Sequence, residues 1–120
     1  MPKEYLNPKG LPNWGQAFTQ LVVCQGPATT IYISGQVAVD ASKTLIGGND
    51  LGKQAMQAFQ NLQTALIAAG ATSADVVKLT IYIKEFKPEH ATAINVALRT
   101  YFNQNDLPAS TWMYVMFLTR

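Results

Sequence analysis

At 120 residues the chain has the length of one domain, and with 48% apolar and only 13% charged residues, against about 25% charged in an average soluble protein, it is not a disordered polymer. Nine Lys and Arg against seven Asp and Glu leave a formal charge of +2, with the basic residues scattered, which argues against a nucleic-acid-binding surface. So little charge on so short a chain implies that subunits cover one another's apolar surface.

Residues 1–17 read as an irregular arm, because Asn7, Pro8, Gly10, Pro12 and Gly15 interrupt any periodic pattern. The first residues lack an apolar signal core, and no stretch approaches the roughly 18 apolar residues of a membrane span; the expectation is a cytoplasmic protein. Residues 18–24 are β-rich and end at Cys24, the lone cysteine, which reads as a small buried residue because nothing beside it in sequence activates a thiolate. Gln25, Gly26 and Pro27 turn the chain into residues 30–40. There Ile31, Ile33, Val37 and Val39 share one parity and Thr30, Tyr32, Ser34, Gln36 and Asp40 the other, predicting a hairpin with one apolar face.

Gly47, Gly48, Asn49 and Asp50 supply a turn and an Asx cap. After them Leu51, Ala55, Ala58, Phe59, Leu62 and Leu66 recur at three- and four-residue spacing up to Gly70, the pattern of an amphipathic helix. Residues 76–86 alternate again, with Val77, Leu79, Ile81 and Ile83 opposite Lys78, Thr80, Tyr82 and Lys84. Pro88 suits a first helical position, and Ile94, Ala97, Leu98 and Tyr101 mark a second helix ending near Phe102. A polar connection leads to residues 110–118, apolar on both parities and therefore expected to be buried on both faces. The order ββαβαβ predicts an α+β sandwich, a mixed sheet with both helices on one face. Its other face would carry Tyr32, Ser34, Gln36, Thr80, Tyr82, Trp112 and Tyr114, a mixture of aromatic and polar groups suited to a subunit interface.

One cysteine and one histidine, His90, leave no disulfide framework, no thiolate–imidazole zinc site and no Ser-His-Asp or Cys-His pair. No phosphate-binding glycine signature is present, and no metal or cofactor is expected. Asp40, Asp50, Asp75, Glu89 and Asp106 fall at turns or caps, so no acid/base pair is legible.

Three motifs carry a resemblance: Tyr32-Ile33-Ser34-Gly35-Gln36-Val37-Ala38-Val39-Asp40, Asp75-Val76-Val77-Lys78-Leu79-Thr80-Ile81-Tyr82-Ile83, and Leu107-Pro108-Ala109-Ser110-Thr111. From about Phe18 onward the chain resembles the RidA (YjgF) family, also labelled liver perchloric-acid-soluble ribonuclease. The resemblance implies one chorismate-mutase-like α+β domain over residues 1–120, a homotrimer, and small-molecule pockets between subunits. It also implies an enamine and imine deaminase that releases ammonia and a 2-keto acid. Ser34 and Gly35 fall on a pocket wall, Asn95 borders it, Phe18 occupies a tyrosine position, Trp112 lies in the interface, and Ser110 stands where catalytic members have an arginine that holds the substrate carboxylate. The family's last strand, with a glutamate that positions water, lies beyond residue 120. The expectation is thus a trimer that binds a small keto or imino acid at Phe18, Ser34, Gly35, Asn95, Ser110 and Trp112, with no catalytic residue of its own. The alternatives are a deaminase in which Lys78, Arg99 or Arg120 replaces the missing charge, and an RNA-binding or RNA-cleaving protein.

Overall fold

Residues 3–15, 17–84 and 87–115 are described in the computed structural model. Four strands and two helices follow one another as β1 (Lys3–Leu6), β2 (Leu21–Cys24), α1 (Leu51–Ala68), β3 (Lys78–Lys84), α2 (His90–Tyr101) and β4 (Ala109–Val115), with single turns of 3₁₀ helix at Ser73–Asp75 and Gln104–Asp106. The architecture is α+β, two helices with two small sheets.

The predicted helices form where their caps and apolar stripes lie. Asp50 stands at the N-cap of α1 in extended backbone and accepts a hydrogen bond from the Lys53 amide at 3.0 Å, satisfying one of the free donors of the first turn. At the other end Gly70 takes a φ of +75°, and the Ala71 amide reaches back to the Leu66 carbonyl at 2.9 Å. This left-handed glycine ends the helix by feeding its last carbonyls. α2 begins two residues after Pro88, and the Lys87 amide donates to Nδ1 of His90 at 3.0 Å to close the preceding turn.

β3 and β4 run parallel with Leu79 opposite Ser110, Ile81 opposite Trp112 and Ile83 opposite Tyr114. A parallel pair needs a crossover, and α2 supplies it. The core joins Ala55 and Phe59 of α1, Ile94, Ala97 and Leu98 of α2, Ile83 of β3, and Phe102 and Leu107 from the connection to β4. Phe59 meets the edge of Phe102 with ring centroids 5.8 Å apart. Leu79, Ile81 and Trp112 pack against this cluster, so the two helices cover one face of the β3–β4 sheet as the periodicities predict.

The first third of the chain departs from expectation. Residues 3–6, predicted as part of an irregular arm, form β1 and pair antiparallel with β2, Lys3 opposite Cys24 and Leu6 opposite Leu21. The Asn, Pro and Gly positions that suggested an irregular arm all follow Leu6. The Lys3 ammonium also donates to the Ala74 carbonyl, tying β1 to the turn before β3. With β2 paired to β1, the hairpin predicted between residues 18–24 and 30–40 does not form within the chain. Residues 28–37 form neither helix nor strand, and only Val39 makes an isolated bridge, to Leu45. The described strands therefore make two separate sheets, β1–β2 and β3–β4, in place of one mixed sheet.

Three further expectations are corrected. β4 is not buried on both faces: Thr111, Met113 and Tyr114 are exposed. Its pairing with β3 places Trp112 on the helix-facing side beside Ile81, so Trp112 and Tyr114 do not share a face with Thr80 and Tyr82. Cys24, expected to be buried, is exposed at the end of the edge strand β2. The predicted strand positions 116–118, and Arg120, lie outside the described residues.

Candidate functional site

Leu107 and Pro108, both fully buried, anchor the chain as it enters β4. The Asn103 side chain accepts from the Asn105 amide at 2.9 Å and holds the preceding turn, and the Ala109 amide donates to the Val77 carbonyl at 3.0 Å, setting the register with β3. Ser110 follows, half-buried. Its Oγ accepts a hydrogen bond from Nε1 of Trp112 at 3.1 Å, as two residues apart on one side of a strand allow. On the opposite side of the sheet Lys78 donates to Oγ1 of Thr111 at 2.7 Å. The Lys78 ammonium thus points away from the face that carries Ser110 and Trp112, which are both neutral.

The Thr19 amide donates to the Pro108 carbonyl at 3.3 Å, and Thr19 is itself buried. This brings half-buried Phe18 to the start of β4, its backbone fixed by a 3.0 Å bond from its amide to the Trp14 carbonyl. Phe18, Ser110 and Trp112 therefore belong to one region of the chain. Ser34 and Gly35 do not join them: both are exposed on the unpaired segment, where the Ser34 carbonyl accepts from the Gln36 side chain at 3.1 Å. Asn95 lies on α2, and its Oδ1 is buried without a hydrogen-bond partner. A buried amide oxygen in that state costs about 1–3 kcal/mol.

Sequence reading missed one concavity. An open groove of about 620 Å³ runs between α1, α2 and the loop before α1, lined by Ile46, Met56, Gln60, Val96 and Tyr101 among others, and by none of the six predicted site residues. Across it the Tyr101 hydroxyl donates to Oε1 of Gln60 at 3.1 Å. The available signal was Val96, an apolar residue off the core-facing stripe of α2 and half exposed. Among the described residues no group of three His, Cys, Asp or Glu side chains could hold a metal ion, and no helix is long and apolar enough to cross a membrane.

Residues 12–120 match the family model described as Endoribonuclease L-PSP. A 2-iminobutanoate/2-iminopropanoate deaminase of Mus musculus is 38% identical over 91 residues, covering 76% of this chain and 65% of that protein. The chain spans about two-thirds of the length of the curated relatives it matches. The Rid-family protein YyfB of Yersinia pestis superposes with a TM-score of 0.91 at 34% identity over 100% of this chain and 90% of its own. RidA from an Antarctic Psychrobacter superposes less closely, with a TM-score of 0.67 at 25% identity over 88% of this chain and 85% of its own. With a family model spanning all but the first residues and full-length likeness to a Rid structure, the chain belongs to the endoribonuclease L-PSP family, the family of the RidA and RutC proteins.

Proposed function

We propose that this protein is a homotrimer of chorismate-mutase-like fold that binds a small keto or imino acid between subunits and does not turn it over. The observation that carries the reading is Ser110, whose neutral hydroxyl accepts from Trp112 where the family resemblance puts an arginine. An arginine offers a substrate carboxylate two parallel hydrogen bonds and a permanent positive charge; a serine, whose Oγ accepts from the indole, keeps one O–H donor and brings no charge. Lys78, one of the three candidate substitutes, is turned to the other side of the sheet and engaged with Thr111. A shared pocket is further supported by the partition of the candidate residues: Phe18, Ser110 and Trp112 lie in one region of the chain, whereas Ser34 and Gly35 are exposed on a segment that has no strand partner among the described residues.

The second reading is an imine deaminase, favoured by the mouse relative, a 2-iminobutanoate/2-iminopropanoate deaminase. An RNA-directed role has only the family's label behind it, set against scattered charge and a single histidine. Hydrolysis of 2-iminobutanoate and calorimetric binding of 2-ketobutyrate, measured on the protein and on Ser110→Arg, separate these readings. The expected result is no acceleration above buffer for either protein, with 2-ketobutyrate binding raised about tenfold or more in the variant, since one charge-assisted pair exceeds the roughly 1.4 kcal/mol that a factor of ten requires. Turnover of about 1 per second or faster by the unaltered protein overturns the binding reading in favour of the deaminase. Light scattering that finds a monomer at micromolar concentration overturns the trimer.

A further inference from the structure

Ser110 and Trp112 stand two residues apart on the same side of β4, both half-buried, with Leu79 and Ile81 of β3 opposite them. Nε1 of Trp112 donates to Oγ of Ser110 at 3.1 Å. Chemistry fixes the direction of this bond. An indole nitrogen can only donate, whereas a hydroxyl carries one donor and two acceptor positions. The serine is therefore the acceptor, and its proton is turned away from the ring. Among the described residues that proton has no acceptor, since Oγ of Ser110 enters no other hydrogen bond.

We infer that Trp112 is a positioning residue that sets ligand specificity: its indole N–H orients Ser110 as a single neutral donor, which takes an uncharged carbonyl oxygen at least as readily as a carboxylate. This holds on the proposed reading that Ser110 faces the bound ligand, and it extends the ligand class from a small 2-keto acid to the uncharged amide and ester of that acid. A carboxylate accepts a stronger hydrogen bond than an amide oxygen does. Taking it out of water without a cation is costly, however, and that cost offsets the gain.

Two observations separate this role from packing. The side of the sheet that carries the pair is apolar: Leu79, Ile81 and Trp112 pack against the core cluster, and the Lys78 ammonium is bound to Thr111 on the opposite side. Filling the space beside Ile81 needs an aromatic ring but no ring nitrogen, so the N–H serves Ser110 alone. Its effect on the serine is twofold. It removes the freedom of the hydroxyl to rotate, and by donating to Oγ it polarises the O–H bond and makes the serine a better donor. A ligand oxygen at Ser110 would thus continue a chain of two hydrogen bonds that starts at the indole.

The experiment measures calorimetric binding of 2-ketobutyrate and 2-ketobutyramide to the full chain and to Trp112→Phe, Ser110→Ala, the double variant and Ser110→Arg. The unaltered protein should bind the amide at least as tightly as the acid, and Ser110→Arg should reverse this by about tenfold or more. Trp112→Phe, which keeps the ring, should weaken both ligands about threefold or more, the scale of one net hydrogen bond. It should have no further effect in the Ser110→Ala background; an equal loss in both backgrounds means that Trp112 acts by packing and overturns the inference. A preference of the unaltered protein for the acid beyond tenfold reveals a cation in the site and overturns it too. Solvent exchange of the Trp112 indole proton, followed by NMR, gives a readout without ligand. Exchange should quicken in Ser110→Ala, and equal rates in the two proteins show that the bond does not form in solution. Binding of the acid by Ser110→Arg alone overturns the inference and leaves the pocket standing, whereas binding by none of the proteins overturns the pocket reading and the inference with it.

Discussion

β3 and residues 29–36 carry the same kind of sequence, apolar side chains alternating with Thr, Tyr and Ser, yet β3 is closed into a sheet under two helices and the other segment has no strand partner among the described residues. The difference lies in what the neighbouring sequence supplies. β3 is followed within a few residues by α2, which returns the chain so that β4 can pair in parallel, and Phe59, Leu98 and Phe102 then cover the inner face. Residues 29–36 are preceded by a strand already paired with β1 and followed by a loop tied to α1 by Asn61. Alternation states which face a strand would bury; it does not supply the surface to bury it against.

If that contrast is real, single substitutions in the two regions should differ most at the core. Leu98 has no accessible surface, and truncating such a residue costs about 2–5 kcal/mol through lost transfer energy and the cavity left behind. Leu98→Ala should therefore lower the unfolding free energy by that much in urea denaturation. Ile31→Ala, at a site that is 42% exposed, should cost less than about 0.5 kcal/mol in dilute, dissociated protein. Its cost should grow with protein concentration if association of subunits buries it. Equal costs at all concentrations would break the comparison, because they would mean that residues 29–36 are packed within one chain.

A smaller effect is expected where the two regions meet. Gln57 donates to Oδ1 of Asn61 at 2.9 Å, one helical turn away, and so turns the amide nitrogen of Asn61 toward the carbonyls of Val37 and Val39. Asn61→Ala removes two hydrogen bonds to half-buried carbonyls, a loss of about 1–3 kcal/mol. The loss should be read first as faster amide exchange around residues 37–46, including the bond from the Ile46 amide to the Ala38 carbonyl. Unchanged exchange there would show that the loop is held by packing alone.

The helical half of the fold was legible in sequence because its signals are local. The Asx cap at Asp50, the terminal Gly70 and the three- and four-residue spacing of Ala55, Phe59, Leu62 and Leu66 need only their own segment to act. The faces of β3 were legible for the same reason. The face of β4 was not, since Trp112, Met113 and Tyr114 are all apolar and only the pairing of Ile81 with Trp112 decides which one turns inward. Strand pairing joins distant positions, so nothing near residues 3–6 announced that Lys3 would lie opposite Cys24. For the site, the resemblance supplied Ser110, but the bond from Trp112 to its hydroxyl and the orphaned oxygen of Asn95 are consequences of packing that no spacing in the sequence encodes.

The smallest expected effect concerns the boundary where the poorly paired third gives way to the helical half. The loop before α1 reaches Asp50 through Gly47 at φ +91°, where an added Cβ would meet Lys53 Cβ at 2.9 Å and the Gln54 amide nitrogen at 3.0 Å. Asp50 then closes the helix start, its carboxylate accepting from the Lys53 amide and its carbonyl from the Gln54 amide, both at 3.0 Å. No acidic residue lies in the first turn of α1, so the Asp50 carboxylate contributes both the cap bond and the negative charge that favours a helix N-terminus. Asp50→Ala removes both and should cost about 1 kcal/mol, within the usual 0.5–2 for a lost cap. Asp50→Asn keeps the acceptor and loses the charge, so it should cost only about 0.3–1 kcal/mol, and less in high salt, where the dipole interaction is screened. The two substitutions, compared by urea denaturation at low and high ionic strength, separate hydrogen bond from charge. An Asp50→Ala chain as stable as the original would mean that α1 is started by its packing against α2 rather than by its cap, and that the boundary between the two regions is drawn by the core alone.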